Sequence, residues 1–286
     1  MSIYKIVILG IIVIIVILIL VIVNRINVKA KARKILRQGY ASMKHSKVLI
    51  CGITRDNERT IRGTLKRIDK LKKRFEDYHI VIYENDSIDG TKELLESWAK
   101  KDEKIILISE NRKIESAMKQ GGPFGVKRFQ VLAECRNKYR DVINRPEFED
   151  FDKVIIVDMD LKNWDLDGIA HSFAQSDWDM IFAFGKTPQG LYWDTLAYRD
   201  EEHPDTLNDA NQRHILHTKL KKDANHPMIP AHSGFGGIAI YNKKAFKMCK
   251  YDGSKDCEHI SLHQCMRDNG LYKIYMNPAM ITQYDL

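Results

Sequence analysis

The sequence predicts an α/β fold: a mostly parallel, Rossmann-like sheet with helices on both faces, preceded by one transmembrane helix. Three observations carry this expectation. Apolar runs that read as buried strands alternate with amphipathic helical stretches, which favours a parallel sheet. Two of those strands run into acidic residues at their carboxyl ends, where ligands gather in such sheets. Residues 6–23, IVILGIIVIIVILILVIV, contain only apolar residues and one glycine.

At about 1.5 Å per residue that stretch spans roughly 27 Å, close to the thickness of a hydrocarbon core. Ile3 and Tyr4 extend it, so a membrane is the expected partner of residues 3–23. A cleaved signal peptide has a shorter apolar region and a small-residue cleavage site. Here the run ends in Asn24-Arg25-Ile26-Asn27, with no such site. The expected division is an anchor over 1–24, a basic stalk over 25–46 and a single globular domain over 47–286.

The elements follow in order. VLICGI (48–53) is a buried strand, and 58–76 is an amphipathic helix with Ile61, Leu65, Ile68 and Leu71 on one side. HIVIYE (79–84) is a second strand, followed by the turn NDSIDGT and a helix over 91–101. KIILIS (104–109) is a third strand. A loop with Gly121, Gly122, Pro123 and Gly125 leads to a helix over 126–143, and KVIIVDMD (153–160) is the fourth strand. DMIFAFG (179–185) reads as another. The polar stretch 186–232 reads as a substrate-facing excursion. A glycine-rich turn then enters a strand (232–242), a helix covers 257–270 and a last strand covers 271–278.

The chain has 286 residues, 44% hydrophobic and 29% charged, with net charge +8. Much of the excess lies in the tail 25–47, which suits anionic lipid headgroups. The run KRIDKLKKR (66–74) is the solvated face of a helix, so nucleic acid is not an expected partner. Only Lys5 precedes the apolar run, whereas Arg25, Lys29, Lys31, Arg33, Lys34 and Arg37 follow it. The positive-inside rule places the domain in the cytosol. The five cysteines are odd in number and form no C-x-x-C pair, so no disulfide framework is expected. The one glycosylation sequon, Asn85-Asp86-Ser87, falls inside the expected site.

Asp158 and Asp160 are two apart; in an extended segment they point the same way. Two carboxylates on one side suit a hard divalent cation, which can bridge a diphosphate and stabilise it as it leaves. An ordinary acidic loop after a strand reads the same way. Glu84 ends the second strand, where it could accept hydrogen bonds from a nucleobase edge. Asp86, Ser87 and Asp89-Gly90 make a tight turn, and Thr91 can cap the next helix. Arg55 could pair with a phosphate, while Asp56 or Asn57 could simply cap the helix. Arg136 is a second candidate for donor contacts, or a surface ion pair. Trp193 and Asp194 could form a sugar-stacking face and a hydroxyl acceptor, or belong to the core.

The motifs CGITRDNE, YENDSIDGT, VDMDL, FGGIAIY, CEH and IYMNP, taken in order, resemble the fungal capsule-associated mannosyltransferases (glycosyltransferase family 69) over about residues 47–280. That family belongs to the A-type-fold nucleotide-sugar glycosyltransferases. The resemblance implies a GDP-mannose donor, with a UDP-sugar as the alternative, a Mn2+ or Mg2+ ion, an α-linked product on a glycan acceptor and a lumenal Golgi topology. It implies Asp158 and Asp160 as the metal and diphosphate pair, with Arg55, Glu84, Asp86, Arg136, Gly236 and Gly237 around the donor. Gly234, Gly236 and Gly237 match the loop facing donor and acceptor, where small residues let the backbone approach a sugar; a tight turn is the plainer reading. Glu258 and His259, with Asp194, stand where an acid or base near the acceptor is expected. Glu258 can also be a capping acid beside a buried histidine. One departure is plain: no histidine follows IYMNP. His259 or His263 could supply the third ligand, or water and phosphate oxygens could. A non-catalytic, membrane-tethered carbohydrate- or nucleotide-binding protein is the alternative function.

Overall fold

The computed structural model describes residues 3–114, 125–205 and 228–284. The loop glycines Gly121 and Gly122, and the histidine-rich part of the expected excursion, lie outside the described residues.

A nine-stranded sheet forms the centre, in the order β3-β2-β1-β4-β8-β6-β9-β5, with β7 also paired to β9. The strands are β1 (Lys47–Thr54), β2 (Asp77–Asn85), β3 (Ile105–Glu110), β4 (Lys153–Val157), β5 (Leu161–Trp164), β6 (Met180–Lys186), β7 (Ile229–Pro230), β8 (Ile238–Asn242) and β9 (Ile274–Tyr284). β3, β2, β1 and β4 run parallel. β8 is antiparallel to both β4 and β6, so β6 and its parallel partner β9 share the direction of β4. Residues such as Val48, Ile50, Ile80, Ile82, Val154 and Ile156 are fully buried because helices cover both faces.

The helices are α1 (Ile3–Met43), α2 (Glu58–Lys72), α3 (Thr91–Ala99), α4 (Val126–Ile143), α5 (Leu166–Phe173), α6 (Lys243–Met248) and α7 (Glu258–Asp268). α2 buries the predicted stripe of Ile61, Leu65, Ile68 and Leu71. α7 stops before Gly270, whose φ of +82° ends it in a left-handed cap.

α1 is one unbroken helix of 41 residues, about 60 Å long at 1.5 Å per residue. The expected stalk is therefore a continuation of the apolar helix. Ile11 to Val23 are all exposed. The helix is long and apolar enough to span a membrane. Its last turns dock on α5: a Cβ at Gly39 would collide with the Ala170 carbonyl, and Met43 is fully buried.

Two expectations are corrected. β4 ends at Val157, so Asp158, Met159 and Asp160 form a reversal into β5 rather than the end of an extended strand. Met159 turns inward and is buried, which leaves the two acids flanking it at the carboxyl edge. Cys249 and Cys265 form a disulfide, contrary to the expectation from cysteine number. An odd count leaves one or more thiols over but does not exclude a single bridge. Cys51, Cys135 and Cys257 are free and buried.

Candidate active site

A cavity of about 300 Å³ opens at the carboxyl edge between β1, α4 and the β4–β5 reversal. Arg55 and Asn57 line it from the turn after β1, Asn85 from β2, and Arg128 and Arg136 from α4. Asp158 and Asp160 close its floor.

Asp158 is held on several sides. Its backbone N–H donates to the Gly237 carbonyl at 2.8 Å. Tyr284 Oη donates to Asp158 Oδ2 at 3.1 Å, and Arg136 Nη2 lies 3.5 Å from Oδ1. Burial pushes the Asp158 carboxyl up to about 7; Arg136 opposes this, and the charge of Asp160 adds to it. Asp160 is exposed at the rim, and its pKa is also raised, first by desolvation. Two neighbouring acids that both resist ionisation suit a cation, because a positive ion between them reverses their repulsion. The donor set of carboxylate oxygens is that of a hard divalent ion. Among the described residues no group of three His, Cys, Asp or Glu side chains is arranged to hold a metal. Phosphate oxygens and water would have to complete the shell.

Arg136 is buried, with Nε donating to Glu258 Oε1 at 3.0 Å. Its guanidinium also lies over the Phe235 ring at 5.1 Å. It is thus an internal cation rather than a surface ion pair, and its Nη1 has no partner among the described residues.

Glu258 sits in this core, with Oε1 on Arg136 and Oε2 accepting from the Cys257 thiol at 3.6 Å. His259 is stacked on Phe235, with centroids 4.1 Å apart, and burial holds its pKa well below the ordinary value. The positions expected to carry an acid or base therefore face inward. The remaining histidine offered as a ligand, His263, is also internal. Its Nδ1 meets Ser233 Oγ at 2.8 Å and its Nε2 meets Tyr241 Oη at 2.9 Å, so both nitrogens are used within the chain.

Asp194 Oδ2 accepts the backbone N–H groups of Phe235 and Gly236, at 3.0 and 2.7 Å. Through Oδ2 it clamps the glycine loop. Burial raises its pKa against those hydrogen bonds. The loop glycines are packed as well: Gly236 has φ +60°, and a Cβ there would strike the Ala183 carbonyl. A Cβ on Gly237, φ +85°, would come within 2.8 Å of Tyr284 Oη and of Leu161. Their smallness serves close packing against β6 and Tyr284, not an open approach to a sugar.

Glu84 is buried in the β2 turn. Its Oε1 accepts from Ser87 N–H at 2.9 Å and its Oε2 from Ser109 Oγ at 2.5 Å. Both oxygens are occupied, so Glu84 braces the turn and presents no free edge to a base. Asp86, with φ +55°, accepts the N–H groups of Arg112 and Lys113, at 2.6 and 2.9 Å, and fixes the segment after β3. Although burial opposes it, hydrogen bonds from Lys113, Asn85, Ile114 and Arg112 lower its pKa. Arg55 lines the cavity, with Nε 3.7 Å from its neighbour Asp56. Trp193 is 42% exposed, and its ring leans on Tyr284 at 5.5 Å. Three contributors were missed in the sequence: Arg128, Phe235 and Tyr284. Phe235 opens the quoted motif FGGIAIY, whereas Arg128 and Tyr284 carry no local signal.

The mostly parallel sheet places a basic cavity and an acid pair at its carboxyl edge, where ligands gather in such sheets, and the comparisons give the class of protein. The chain belongs to the family described as Cryptococcal mannosyltransferase 1, whose model matches residues 47–267. It is a glycosyltransferase with an A-type fold. Among solved structures it is similar to a mycobacterial protein, with TM-score 0.52 and 15% identity, covering 88% of this chain and 71% of that one. It is also similar to the mannosyltransferase PcManGT of Pyrobaculum calidifontis in complex with GDP-Man and Mn2+, with TM-score 0.52 and 11% identity. That match covers 90% of this chain and 66% of the other. A third is glucosyl-3-phosphoglycerate synthase of Mycobacterium tuberculosis with Mn2+, UDP and phosphoglyceric acid, at TM-score 0.50 and 12% identity, covering 88% and 75%. A search of curated proteins finds no match.

Proposed function

We propose that the protein is a metal-dependent mannosyltransferase that moves mannose from GDP-mannose to a hydroxyl of a glycan, forming an α-linkage. The observation that carries this reading is the acid pair Asp158 and Asp160 beside the buried cation Arg136. In the transfer, the bond from the sugar C1 to the diphosphate breaks, C1 bonds to the acceptor oxygen, and the proton of that hydroxyl passes to the departing diphosphate. Asp158 and Asp160 would hold Mn2+ or Mg2+, which offsets charge on the departing diphosphate. Arg136, Arg128 and Arg55 add fixed positive charge around the same oxygens, in a site preorganised by Glu258 and Phe235. Asp194 keeps the 235–237 loop, and with it Tyr284 and Asp158, in register. The donor and metal supported here are those bound by the similar archaeal enzyme. Nucleic acid has no part in this reading.

α1 would anchor the chain, leaving residues 47–286 as the transferase domain. The disulfide favours an oxidising compartment for that domain, against the flanking charges. The sequon does not oppose this, because Asn85 is buried and its amide donates to Asp86.

Residues 40–286 mixed with GDP- and UDP-sugars and manganese should release free nucleotide from GDP-mannose. Chelator should abolish release. Asp160→Ala should lower it by about 10²-fold or more, the scale of losing one group that stabilises transition-state charge. The fold should persist, because Asp160 lies at the exposed rim. Equal release by Asp160→Ala would remove the metal assignment.

A further inference from the structure

We infer that the carboxyl edge of the sheet, with the candidate active site in it, faces the bilayer and lies against its surface. This rests on reading α1 as a membrane anchor.

The direction of α1 carries the inference. β1 begins at Lys47 on the amino edge of the sheet, next to Asp77 and Lys153 at the starts of their strands. A short turn at 44–46 joins it to α1, so Met43 also lies at the amino edge. From there α1 retraces the sheet beside α5. Gly39 meets Ala170, and Tyr40 Oη donates to Asp167 Oδ1 at 2.6 Å. Ser42 shares a cavity with Phe173, Gln175 and Ser176. The two helices therefore run in the same sense.

α5 itself descends. It starts just after Trp164, which pairs with Thr282 at the level of Gly185 near the carboxyl edge. It ends before Met180, where β6 starts at the amino edge. Followed backward, α1 climbs towards the carboxyl edge, and the apolar span lies beyond. Contact with the domain ends near Ile35, which is only partly covered. From Ile35 back to Val23 the helix climbs about 18 Å. Over the same interval β5 climbs from Trp164 to Leu161, about 10 Å. The catalytic edge thus lies within roughly 10 Å of the level at which the apolar span begins.

The surface supplies a second, independent observation. Outside α1, five of the seven exposed large apolar side chains among the described residues lie at that edge. Ile88, 95% exposed, tips the β2–α3 turn, and its N–H is pinned to Asp56. Val126 opens α4, Leu191 and Trp193 follow β6, and Ile281 lies in the last third of β9. Met248 and Tyr272 lie at the opposite edge. Apolar and tryptophan side chains collected on one face, level with the cations Arg25 to Arg37 on α1, match an interfacial membrane surface.

The test uses the full chain in phosphatidylcholine vesicles that carry a nitroxide on the lipid headgroup. A fluorophore is placed at Ile88→Cys or at Tyr272→Cys. The native free thiols are buried, so the new cysteine takes the label. Quenching should be several-fold stronger at position 88 than at 272. Leu191→Cys, on a separate segment, should behave like 88 and guards against a misfolded variant. Equal quenching at both edges, or stronger quenching at 272, overturns the orientation while leaving the anchor. A chain that fails to float with the vesicles overturns the anchor, and the inference with it.

Discussion

Arg136 is a cation held inside the protein by acids that come from distant parts of the chain. Removing one partner of such a pair costs more than the pair contributes, because the other charge stays buried. Glu258→Ala should therefore destabilise the domain by about 3 kcal/mol, the lower end for a broken buried pair, since Asp158 still faces Arg136. A shifted urea midpoint with unchanged slope would show it; an unchanged midpoint would mean that Arg136 does not depend on Glu258. His263 makes a prediction about pH. Burial lowers its pKa to about 3 from the ordinary 6.5. Below pH 6.5 the unfolded chain takes up a proton that the folded chain refuses, so stability falls as pH falls, until about 3. For one such group the slope approaches 1.4 kcal/mol per pH unit. His263→Asn should make the slope between pH 6 and 4 shallower by close to one proton; an unchanged slope would mean that His263 is protonated in the fold.

At the scale of elements, the disulfide joins the end of α6 to α7 and encloses Tyr251, Glu258 and His259. The bridge spans 16 positions. Closing a loop of that size contributes about 3 kcal/mol by the chain-entropy estimate. Cys249→Ser should lower the melting temperature accordingly and should raise the KM for the donor, because α7 carries the partner of Arg136. Scanning calorimetry and donor kinetics on the same preparation would read both. A variant with wild-type values for both would show that α6 and α7 are held by packing alone.

For the whole molecule, α1 is one unbroken helix from Ile3 to Met43, so on the proposed reading of α1 as an anchor the domain would be held at a set height above the bilayer. The two topology signals conflict: basic residues follow the apolar run, yet the domain carries a disulfide. We weigh the bridge more heavily in the proposed topology, because structural disulfides are rare where thiols are kept reduced, whereas flanking charge is a statistical bias. In sealed vesicles prepared from cells, Cys249 and Cys265 should resist alkylation until reductant is added, and the domain should survive external protease. Cleavage of the domain without detergent would place it in the cytosol.

By itself, the sequence determined the elements and pointed to the acid pair that lines the cavity at the carboxyl edge. Strands and helices were legible because hydrophobic period is local, as in the α2 stripe and the buried runs of β1, β2 and β4. Asp158 and Asp160 were legible because both acids lie within one short motif. The sequence could not determine what the other polar residues do, since those roles depend on partners far along the chain. Glu258 meets Arg136 across 122 positions, and Tyr284 meets Asp158 across 126. Glu84, Asp194 and Gly236 sit in motifs that suggest ligand contact, yet folding satisfies them internally, because a buried carboxylate or a left-handed backbone must be matched by its nearest neighbours. Only the tertiary structure decided that the acid pair sits on a reversal, that two cysteines meet, and that α1 leads back towards the carboxyl edge of the sheet. Each of these depends on how separate segments pack.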